Sequence, residues 1–240
     1  TDKCAGFLDY CVRQKMNVLV VGGTSSGKTT LLAALAGLVS PDERVLVLED
    51  TPELTLPEKH KHVIYMRTRL RDSAGSPDVT LRELVINTLR MRPDRVIVGE
   101  TRGPEASDML QAMNLGTDGF LTTLHANSAR EAISRLETLV LQAGIDMPLK
   151  AIRQNIVSAL DFIVFLSRLA DGTRRVVQVA EVTGLEVETV SMADLFTLEL
   201  RRGTGGLHGE LKPAGTIPRF YERLRRQGLE PPLEFFRLDS

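Results

Sequence analysis

The chain is poor in cysteine, in long apolar runs and in net charge. Its two cysteines, Cys4 and Cys11, form no C-x-x-C pair, so the sequence predicts neither a disulfide framework nor a zinc site and favours a reducing compartment. It contains no run of about 18 apolar residues, and we therefore expect no transmembrane helix. The formal net charge of -1 and the 5% aromatic content indicate neither a basic field nor a stacking surface for nucleic acid.

The rest of the composition is that of a globular protein. Hydrophobic residues make up 42% and charged residues 25% of the 240 residues, which is enough for one large or two modest domains. Short apolar runs alternate with helical patterns, and this alternation is typical of a mostly parallel sheet covered by helices. The predicted strands are residues 17–21, 44–48, 63–66, 95–98 and 120–123, and the predicted helices are residues 80–91, 104–116 and 128–144.

The pattern changes after about Asp161. Runs rich in β-branched residues, interrupted at Gly172 and Gly184, predict antiparallel hairpins. Residues 201–219 are rich in glycine and proline, and we interpret them as a loop. Residues 220–227 are interpreted as a short basic helix that closes the domain against solvent, with a platform-facing or lipid-facing role as the alternative.

The segment VGGTSSGKTTLL, residues 21–32, contains the pattern G-x-x-x-x-G-K-[ST] between a predicted strand and a helical run. Gly22 and Gly27 allow a tight turn whose N–H groups converge on phosphate oxygens, and the following helix start adds positive potential. Lys28 supplies a charge for the β- and γ-phosphates, and the Thr29 hydroxyl is a Mg²⁺ ligand. A solvated turn, the alternative, does not require this spacing. The predicted nucleotide-binding residues are Gly22, Gly23, Thr24, Ser25, Ser26, Gly27, Lys28, Thr29 and Thr30.

Acidic residues follow two of the predicted strands. Glu49 and Asp50 end the run RVLVLED, and Glu100 ends the run RVIVGE. Because the carboxyl ends of parallel strands share one edge of a sheet, we expect these side chains to face the phosphate-binding loop. One carboxylate can hold Mg²⁺ through water, and another can orient or deprotonate an attacking water. The sequence therefore predicts ATP and Mg²⁺ as ligands, with Thr29, Asp50 and Glu100 around the metal.

Histidines occur at two places that bear on the site. His125 follows the predicted strand 120–123, where an imidazole can donate a hydrogen bond to the terminal phosphate and respond to its presence. The alternative is a turn histidine without that role. His60 and His62 lie in a charged segment without a third ligand, so we expect no metal there.

The order of these motifs resembles that of the secretion ATPases of the type II and type IV superfamily. The P-loop is followed by LEDTPEL, MRPDRVIVGETRG and GTDGFLTTLHANSA, which match the Asp box, the Walker B motif and the His box of that family. The segments LRMRPDRVIVGE, DMLQAMNLGTDG, LTTLHANSAREAISRLETLV and GTIPRFYERLRRQGLEPP resemble the CpaF/TadA branch, the ATPases of the tight-adherence (Tad, or Flp) pilus. The resemblance extends from Asp9 to Phe235.

The resemblance implies an α/β fold with a RecA-like P-loop NTPase core and a mostly parallel sheet, residues 1–160. A C-terminal extension of antiparallel strands and helix, residues 161–240, would pack on the same domain. A further domain would precede this chain, which would assemble into a homo-hexamer at the cytoplasmic face of the inner membrane. There, Mg-dependent ATP hydrolysis would move a membrane platform protein that adds or removes pilin subunits, with membrane association through partners and no nucleic acid.

Residue roles follow from the resemblance by matched position. Glu49 is the candidate general base and Glu100 the Walker B acid that acts on the metal through water, although the sequence leaves open which of them is the base. His125 is the His-box residue. Arg69 in MRTRLRD and Arg102 in GETRG match arginines that lie near the nucleotide or at the subunit boundary.

The sequence departs from the Tad pattern TGHDGS, which is LGTDGF here. Thr117 replaces the first His-box histidine and Phe120 replaces a serine, so His125 is the remaining imidazole of that box. Ser25 stands where a glycine is common, and the serine should be harmless there if its backbone angles are helical. The four-cysteine zinc module of some type II and pilus-extension ATPases is absent, in keeping with the branch named.

Two other functions are weighed as alternatives. A RecA-like nucleic-acid motor would need a basic channel, which the near-neutral charge does not favour. A nucleotide-gated scaffold would bind ATP without useful hydrolysis. The isolated chain is expected to behave in this second way, because an arginine from a neighbouring subunit contributes much of the rate in such motors.

Overall fold

The computed structural model of the chain describes residues 1–71, 75–203 and 206–237. The strands are β1 (Val18–Gly22), β2 (Arg44–Glu49), β3 (His62–Arg67), β4 (Arg95–Val98), β5 (Leu121–Leu124), β6 (Phe162–Arg168), β7 (Arg174–Glu186), β8 (Thr189–Gly203) and β9 (Gly206–Pro213). The helices are α1 (Asp2–Arg13), α2 (Lys28–Ala36), α3 (Leu81–Thr88), α4 (Glu105–Asn114), α5 (Ala129–Gln142), α6 (Leu149–Ala159) and α7 (Phe220–Arg226), with a 3-10 turn at Glu234–Phe236.

All the strands belong to one sheet, whose spatial order is β3-β2-β4-β5-β1-β6-β7-β8-β9. The pairings from β3 to β6 are parallel, and those from β6 to β9 are antiparallel. The α/β fold with a mostly parallel sheet and an antiparallel extension is therefore confirmed. The five strands predicted for residues 17–123 are confirmed to within one residue at either end.

Helices cover the parallel part of the sheet on both faces. Leu19 and Val21 of β1 belong to the core on one face, with residues of α3, α4, α5 and α6, whereas Val18 and Val20 belong to the core on the other face, with residues of α1, α2 and α7. Successive side chains of a strand point to opposite faces, so a strand covered on both sides is apolar throughout. This burial explains why the sequence shows continuous apolar runs rather than alternation. Among the described helices, none is long and apolar enough to cross a membrane.

The loop predicted for residues 201–219 is wrong over much of its length. β8 runs to Gly203 and β9 occupies Gly206–Pro213, while residues 204 and 205 lie outside the described residues. Gly209 pairs with Leu200, and a β-carbon at Gly209 would lie 2.9 Å from Leu200 Cδ2. The glycine thus serves close packing of one strand against the next, and pairing with distant residues overrides the local preference for a loop.

The parallel topology gathers four segments at one edge of the sheet. β1 leads into the P-loop, β2 ends at Glu49, β4 is followed by Gly99 and Glu100, and β5 is followed by His125. The division at residue 160 stays a prediction, since β6 pairs with β1 over Val18–Gly22 and the sheet is continuous across that point.

Candidate active site

The P-loop owes its shape to two glycines. Gly27 has a φ of 97°, a conformation that disfavours residues with a β-carbon. A β-carbon on Gly22 would lie 2.3 Å from Ser26 Oγ and 2.6 Å from the carbonyl oxygen of Leu166, closer than atoms can approach. The loop therefore wraps tightly around the start of α2, whose first N–H groups have no partner within the helix.

Ser25 does not have the right-handed helical backbone angles that would make a serine harmless at this position. Its φ is 58°, in the left-handed region where a β-carbon costs roughly 1–2 kcal/mol. The loop needs this conformation to reverse direction between β1 and α2, which accounts for the glycine that is common at the position. The next residue, Ser26, is buried, and its hydroxyl has no hydrogen-bond partner among the described residues.

Lys28 holds its amine at the inner end of the loop. The side chain is 7% exposed, and its Nζ donates to the carbonyl oxygen of Gly23 at 3.0 Å. Nζ also lies 3.4 Å from Nε2 and 3.5 Å from Nδ1 of His125. Burial lowers the pKa of the Lys28 amine, and the negative charge of Glu100 opposes that change. A phosphate that reached this amine would favour its charged form.

Glu100 and Asp50 are engaged by basic side chains. Glu100 Oε1 lies 2.8 Å from His125 Nε2, and its Oε2 lies 4.0 Å from Arg102 Nη1. The second terminal nitrogen of Arg102, Nη2, contacts Asp50 Oδ2. The two carboxylates are thus linked through one arginine, which spans the gap between the ends of β2 and β4.

Glu49 is held by the backbone of the segment that follows it. The residue is 5% exposed, and its Oε1 accepts hydrogen bonds from the N–H groups of Glu53 and Leu54, both at 3.0 Å. A β-carbon on Gly99 would lie 3.0 Å from Glu49 Cγ, so the glycine leaves room for this side chain. These contacts fix the Glu49 carboxylate between β2 and β4.

A cavity of about 400 Å³ connects these groups. Its lining residues are Thr24, Ser25, Lys28, Thr29, Glu49, Asp50, Thr51, Glu53, Gly99, Glu100, Arg102, Thr123 and His125. It therefore brings together the P-loop, both acidic strand ends and the histidine, as expected from a parallel sheet. Sequence reasoning did not single out Thr51, Glu53 or Thr123, although all three belong to or adjoin the quoted motifs.

Arg69 is not among the residues that line the cavity. It is exposed, forms an isolated bridge with Val79 and donates to the carbonyl oxygen of Pro77 at 3.3 Å. His60 and His62 also lie elsewhere. The ring nitrogens of His60 are each 3.0 Å from a backbone carbonyl oxygen, and His62 contacts Arg44.

A second cleft of about 240 Å³ lies against the P-loop. It is lined by Ser25, Ser26, Gly27, Lys28, Thr29, Thr30, Glu53 and Arg174. Thr30 thus faces this cleft rather than the larger cavity. Arg174, the first residue of β7, was missed by sequence reasoning because only the β6–β7 pairing brings it beside the loop.

The residues of the larger cavity suit a hydrated divalent cation. Four carboxylates line it, from Glu49, Asp50, Glu53 and Glu100, against the positive charges of Lys28 and Arg102. In the described part of the chain, no three His, Cys, Asp or Glu side chains are arranged to enclose a metal ion. Mg²⁺ bound with phosphates needs only one or two protein oxygens, since it keeps water ligands. The donor set therefore fits Mg²⁺ held together with a polyphosphate.

The topology and the loop between β1 and α2 define an α/β protein of the RecA-like P-loop class. The family model described as "Type II/IV secretion system protein" matches residues 2–194, and the chain belongs to this family. Type IV secretion system protein VirB11 of Bartonella henselae is 37% identical over 166 residues, which cover 68% of this chain and 46% of that protein. The chain spans about half the length of the curated relatives it matches.

Solved structures agree with this membership. The VirB11 ATPase of the Brucella suis type IV secretion system, determined with sulphate, has a TM-score of 0.66 and 32% identity, over 74% of this chain and 52% of that one. The pilus retraction motor PilT with bound ADP has a TM-score of 0.50 and 19% identity, over 93% of this chain and 54% of that one. The second likeness is one of fold alone.

Proposed function

We propose that this chain is the ATP-hydrolysing part of a motor in a pilus or type II/IV secretion apparatus. In the form we favour, a homo-hexamer couples Mg-dependent ATP hydrolysis to pilin assembly or disassembly through an inner-membrane platform protein of a Tad/Flp pilus. The motor would sit at the cytoplasmic face of that membrane and attach to it through partners. Family membership supports the broader statement, and the motifs quoted above support the Tad branch.

One observation carries the proposal. Lys28 of the P-loop and the carboxylates of Glu49 and Glu100 line a single cavity of about 400 Å³. A phosphate-binding loop alone would serve nucleotide binding, whereas hydrolysis also needs an acid that positions water. The cavity has the volume of an ordinary small-molecule site, and its convergent polar groups are those that phosphoryl transfer requires.

The residues would act in the following way. The N–H groups at the start of α2 and the Lys28 amine would bind the phosphates, and His125 would donate to the terminal one. Mg²⁺ held near Thr29, Asp50 and Glu100 would supply charge neutralisation. Glu49, fixed by two backbone N–H groups, is our candidate for orienting and deprotonating the attacking water.

The position of Arg69 supports assembly into a ring. Because Arg69 is exposed and outside the cavity of its own chain, it is available to a neighbouring subunit. An arginine that enters a phosphoryl-transfer site from outside contributes roughly 10³–10⁵ in rate. We therefore expect the isolated 240 residues to hydrolyse ATP weakly, as a nucleotide-gated scaffold would, and brisk hydrolysis by a proven monomer would contradict this assignment.

The test uses the longer protein that contains this chain. Lys28→Ala should abolish ATP binding, whereas Glu100→Gln should keep binding and lose turnover, since it retains shape but not charge. Glu58→Gln removes an exposed acid outside the cavity and serves as the control. A Glu100→Gln ring that hydrolyses ATP at the wild-type rate would refute the assignment. Stimulation of turnover by DNA would favour the nucleic-acid motor instead.

The Tad assignment needs a separate experiment in the host. Cells that carry Lys28→Ala in place of the wild-type gene should lose surface pili, while Glu58→Gln should restore them. Loss of protein or DNA transfer with pili intact would assign the chain to a secretion branch of the family. Intact pili and intact transfer would contradict the motor function altogether.

A further inference from the structure

We propose that Arg174 binds the proximal phosphate of the nucleotide, at the end of the P-loop away from the catalytic acids. This inference rests on the proposed function, because it concerns the same bound nucleotide. Arg174 begins β7, more than 140 positions along the chain from the P-loop. It lines the cleft of about 240 Å³ together with Ser25 to Thr30.

The side chain of Arg174 lies directly against the loop. A β-carbon built on Gly27 would be 3.6 Å from Arg174 Cδ and 3.9 Å from Arg174 Cβ, which is ordinary contact distance. The aliphatic stem of Arg174 therefore lies over the glycine, as does Leu166, whose Cδ2 would be 3.9 Å from the same added β-carbon. This packing places Arg174 among the residues that line the cleft, beside the first turn of α2.

The guanidinium is available to a ligand. In the described part of the chain, the side chain of Arg174 has neither a hydrogen bond nor a salt bridge, although its guanidinium carries five N–H donors. Ser26, buried in the same cleft, likewise has a hydroxyl without a partner among the described residues. The Arg174 guanidinium and the N–H groups left free at the start of α2 together form a site for an anion, whereas the buried Ser26 hydroxyl lies against Gly22.

The order of the phosphates follows from the two cavities. The larger cavity contains the acids, His125 and Lys28, which suit the terminal phosphate, water and metal. The smaller cleft shares Ser25, Lys28 and Thr29 with it, and continues to Thr30 and Arg174. A triphosphate that spans the loop therefore has its distal end among the acids and its proximal end beside Arg174. The proximal phosphate is common to ATP and ADP.

The experiment measures binding of ATP and of ADP, each with Mg²⁺, by calorimetry on the longer protein. Arg174→Gln should weaken both nucleotides about 10- to 100-fold, as expected for loss of a charged hydrogen bond. Their affinity ratio should stay within about twofold, since both nucleotides lose the same contact. Arg174→Lys should lose less than Arg174→Gln, because it keeps the charge. Arg174 is exposed, so these variants should fold.

Arg175→Gln is the matched control. It removes the same charge from the next residue, whose guanidinium donates to the carbonyl oxygen of Gly209. Equal losses of nucleotide affinity for Arg174→Gln and Arg175→Gln would indicate that any nearby positive charge attracts the nucleotide, and would overturn the proposal. Unchanged binding in Arg174→Gln, or weaker binding of ATP but not of ADP, would also overturn it. Failure of the wild-type protein to bind ATP would instead refute the proposed function.

Discussion

His125 Nε2 lies 2.8 Å from Glu100 Oε1, and Lys28 Nζ lies 3.4 Å from the same nitrogen. The three residues come from segments that follow three different strands and meet only because those strands are parallel. The imidazole and the amine can both donate hydrogen bonds, and a bound phosphate would accept these bonds in place of the present partners. A terminal phosphate that reached them would loosen the hold of His125 on Glu100, which links nucleotide state to the position of an acid.

His125→Ala should reduce the preference for ATP over ADP. The terminal phosphate is the group that ADP lacks, and loss of one hydrogen bond to this charged group corresponds to about 10- to 100-fold in affinity. Calorimetric titration of both nucleotides with Mg²⁺ measures the ratio. His62→Ala, a change of an exposed histidine outside the cavity, should leave it unchanged. Equal weakening of ATP and ADP by His125→Ala would contradict a contact with the terminal phosphate.

Ser25→Gly should stabilise the protein. At a φ of 58° a glycine avoids the β-carbon clash, and the gain of roughly 1–2 kcal/mol exceeds the entropy that glycine loses on folding, about 0.4–1 kcal/mol. We therefore expect the free energy of unfolding in urea to rise by about 0.5–1 kcal/mol. The control is Ser26→Gly, whose φ is not positive and which should only lose stability. A Ser25→Gly variant less stable than wild type would disprove the strain.

Much of the fold was predictable because burial on both faces of a sheet leaves a clear pattern in the sequence. Strands β1, β2 and β4 are covered on both faces, so their apolar runs are continuous and their ends are clear. The acids that follow β2 and β4 were predicted to meet the P-loop from the shared edge of a parallel sheet alone. That argument needs the order of the elements but no distances.

Other features depended on contacts between distant residues. The strand β9 contains Gly209, a poor strand former whose role becomes clear only from its close approach to Leu200. Arg174 is an ordinary arginine in the sequence until β7 pairs with β6 beside the P-loop. The left-handed angle at Ser25 likewise follows from the path of the loop and not from the residue, since most serines avoid that region.

Glu43→Gln should destabilise the chain strongly. Arg95 is fully buried at the start of β4, and Glu43 Oε2 lies 3.2 Å from its Nε. Removing the carboxylate charge leaves a buried guanidinium uncompensated, which costs about 3–5 kcal/mol. Urea unfolding measures the loss. Nucleotide affinity should hardly change, because the pair lies at the sheet edge opposite Glu100.

A double-mutant cycle checks the origin of that loss. Arg95→Met removes the buried charge itself, and the double variant should lose less stability than the two single changes added together. Additive effects would mean that the two side chains stabilise the chain independently, and would contradict the ion pair as the cause. The guanidinium also donates to the carbonyl oxygens of Val12 and Gly119, so Arg95→Met should retain some cost of its own.

Asp161→Asn should become more stable relative to wild type as the pH rises. Burial raises the pKa of Asp161 above 3.8, despite the hydrogen bond from the Asn17 N–H and the charge of Arg223. An acid with a raised pKa in the folded state contributes stability below its unfolded pKa and loses it as the pH rises through the folded value. Asparagine has no such loss. The unfolding free energy of Asp161→Asn minus that of wild type should therefore grow as the pH rises. The total growth is about 1.4 kcal/mol for every tenfold difference between the proton affinities of Asp161 in the folded and unfolded states.

Urea unfolding of both proteins between about pH 4 and pH 7.5, a range that brackets the usual span of raised carboxyl pKa values, measures that slope. Any pH-independent offset cancels because only the change with pH counts, and the ion pair with Arg223 is already part of the shift in the Asp161 pKa. Asp171→Asn provides the opposite sign, since hydrogen bonds from the Thr173 hydroxyl and N–H lower the pKa of Asp171. Because the pKa of Asp171 is lowered, its effect lies below the unfolded value of 3.8, so the stability of Asp171→Asn relative to wild type should fall as the pH rises from about pH 2 to about pH 4 and stay level above that range. Parallel curves of stability against pH for Asp161→Asn and wild type would mean that burial does not raise the pKa of Asp161. A group with equal pKa values in the folded and unfolded states does not change the stability with pH.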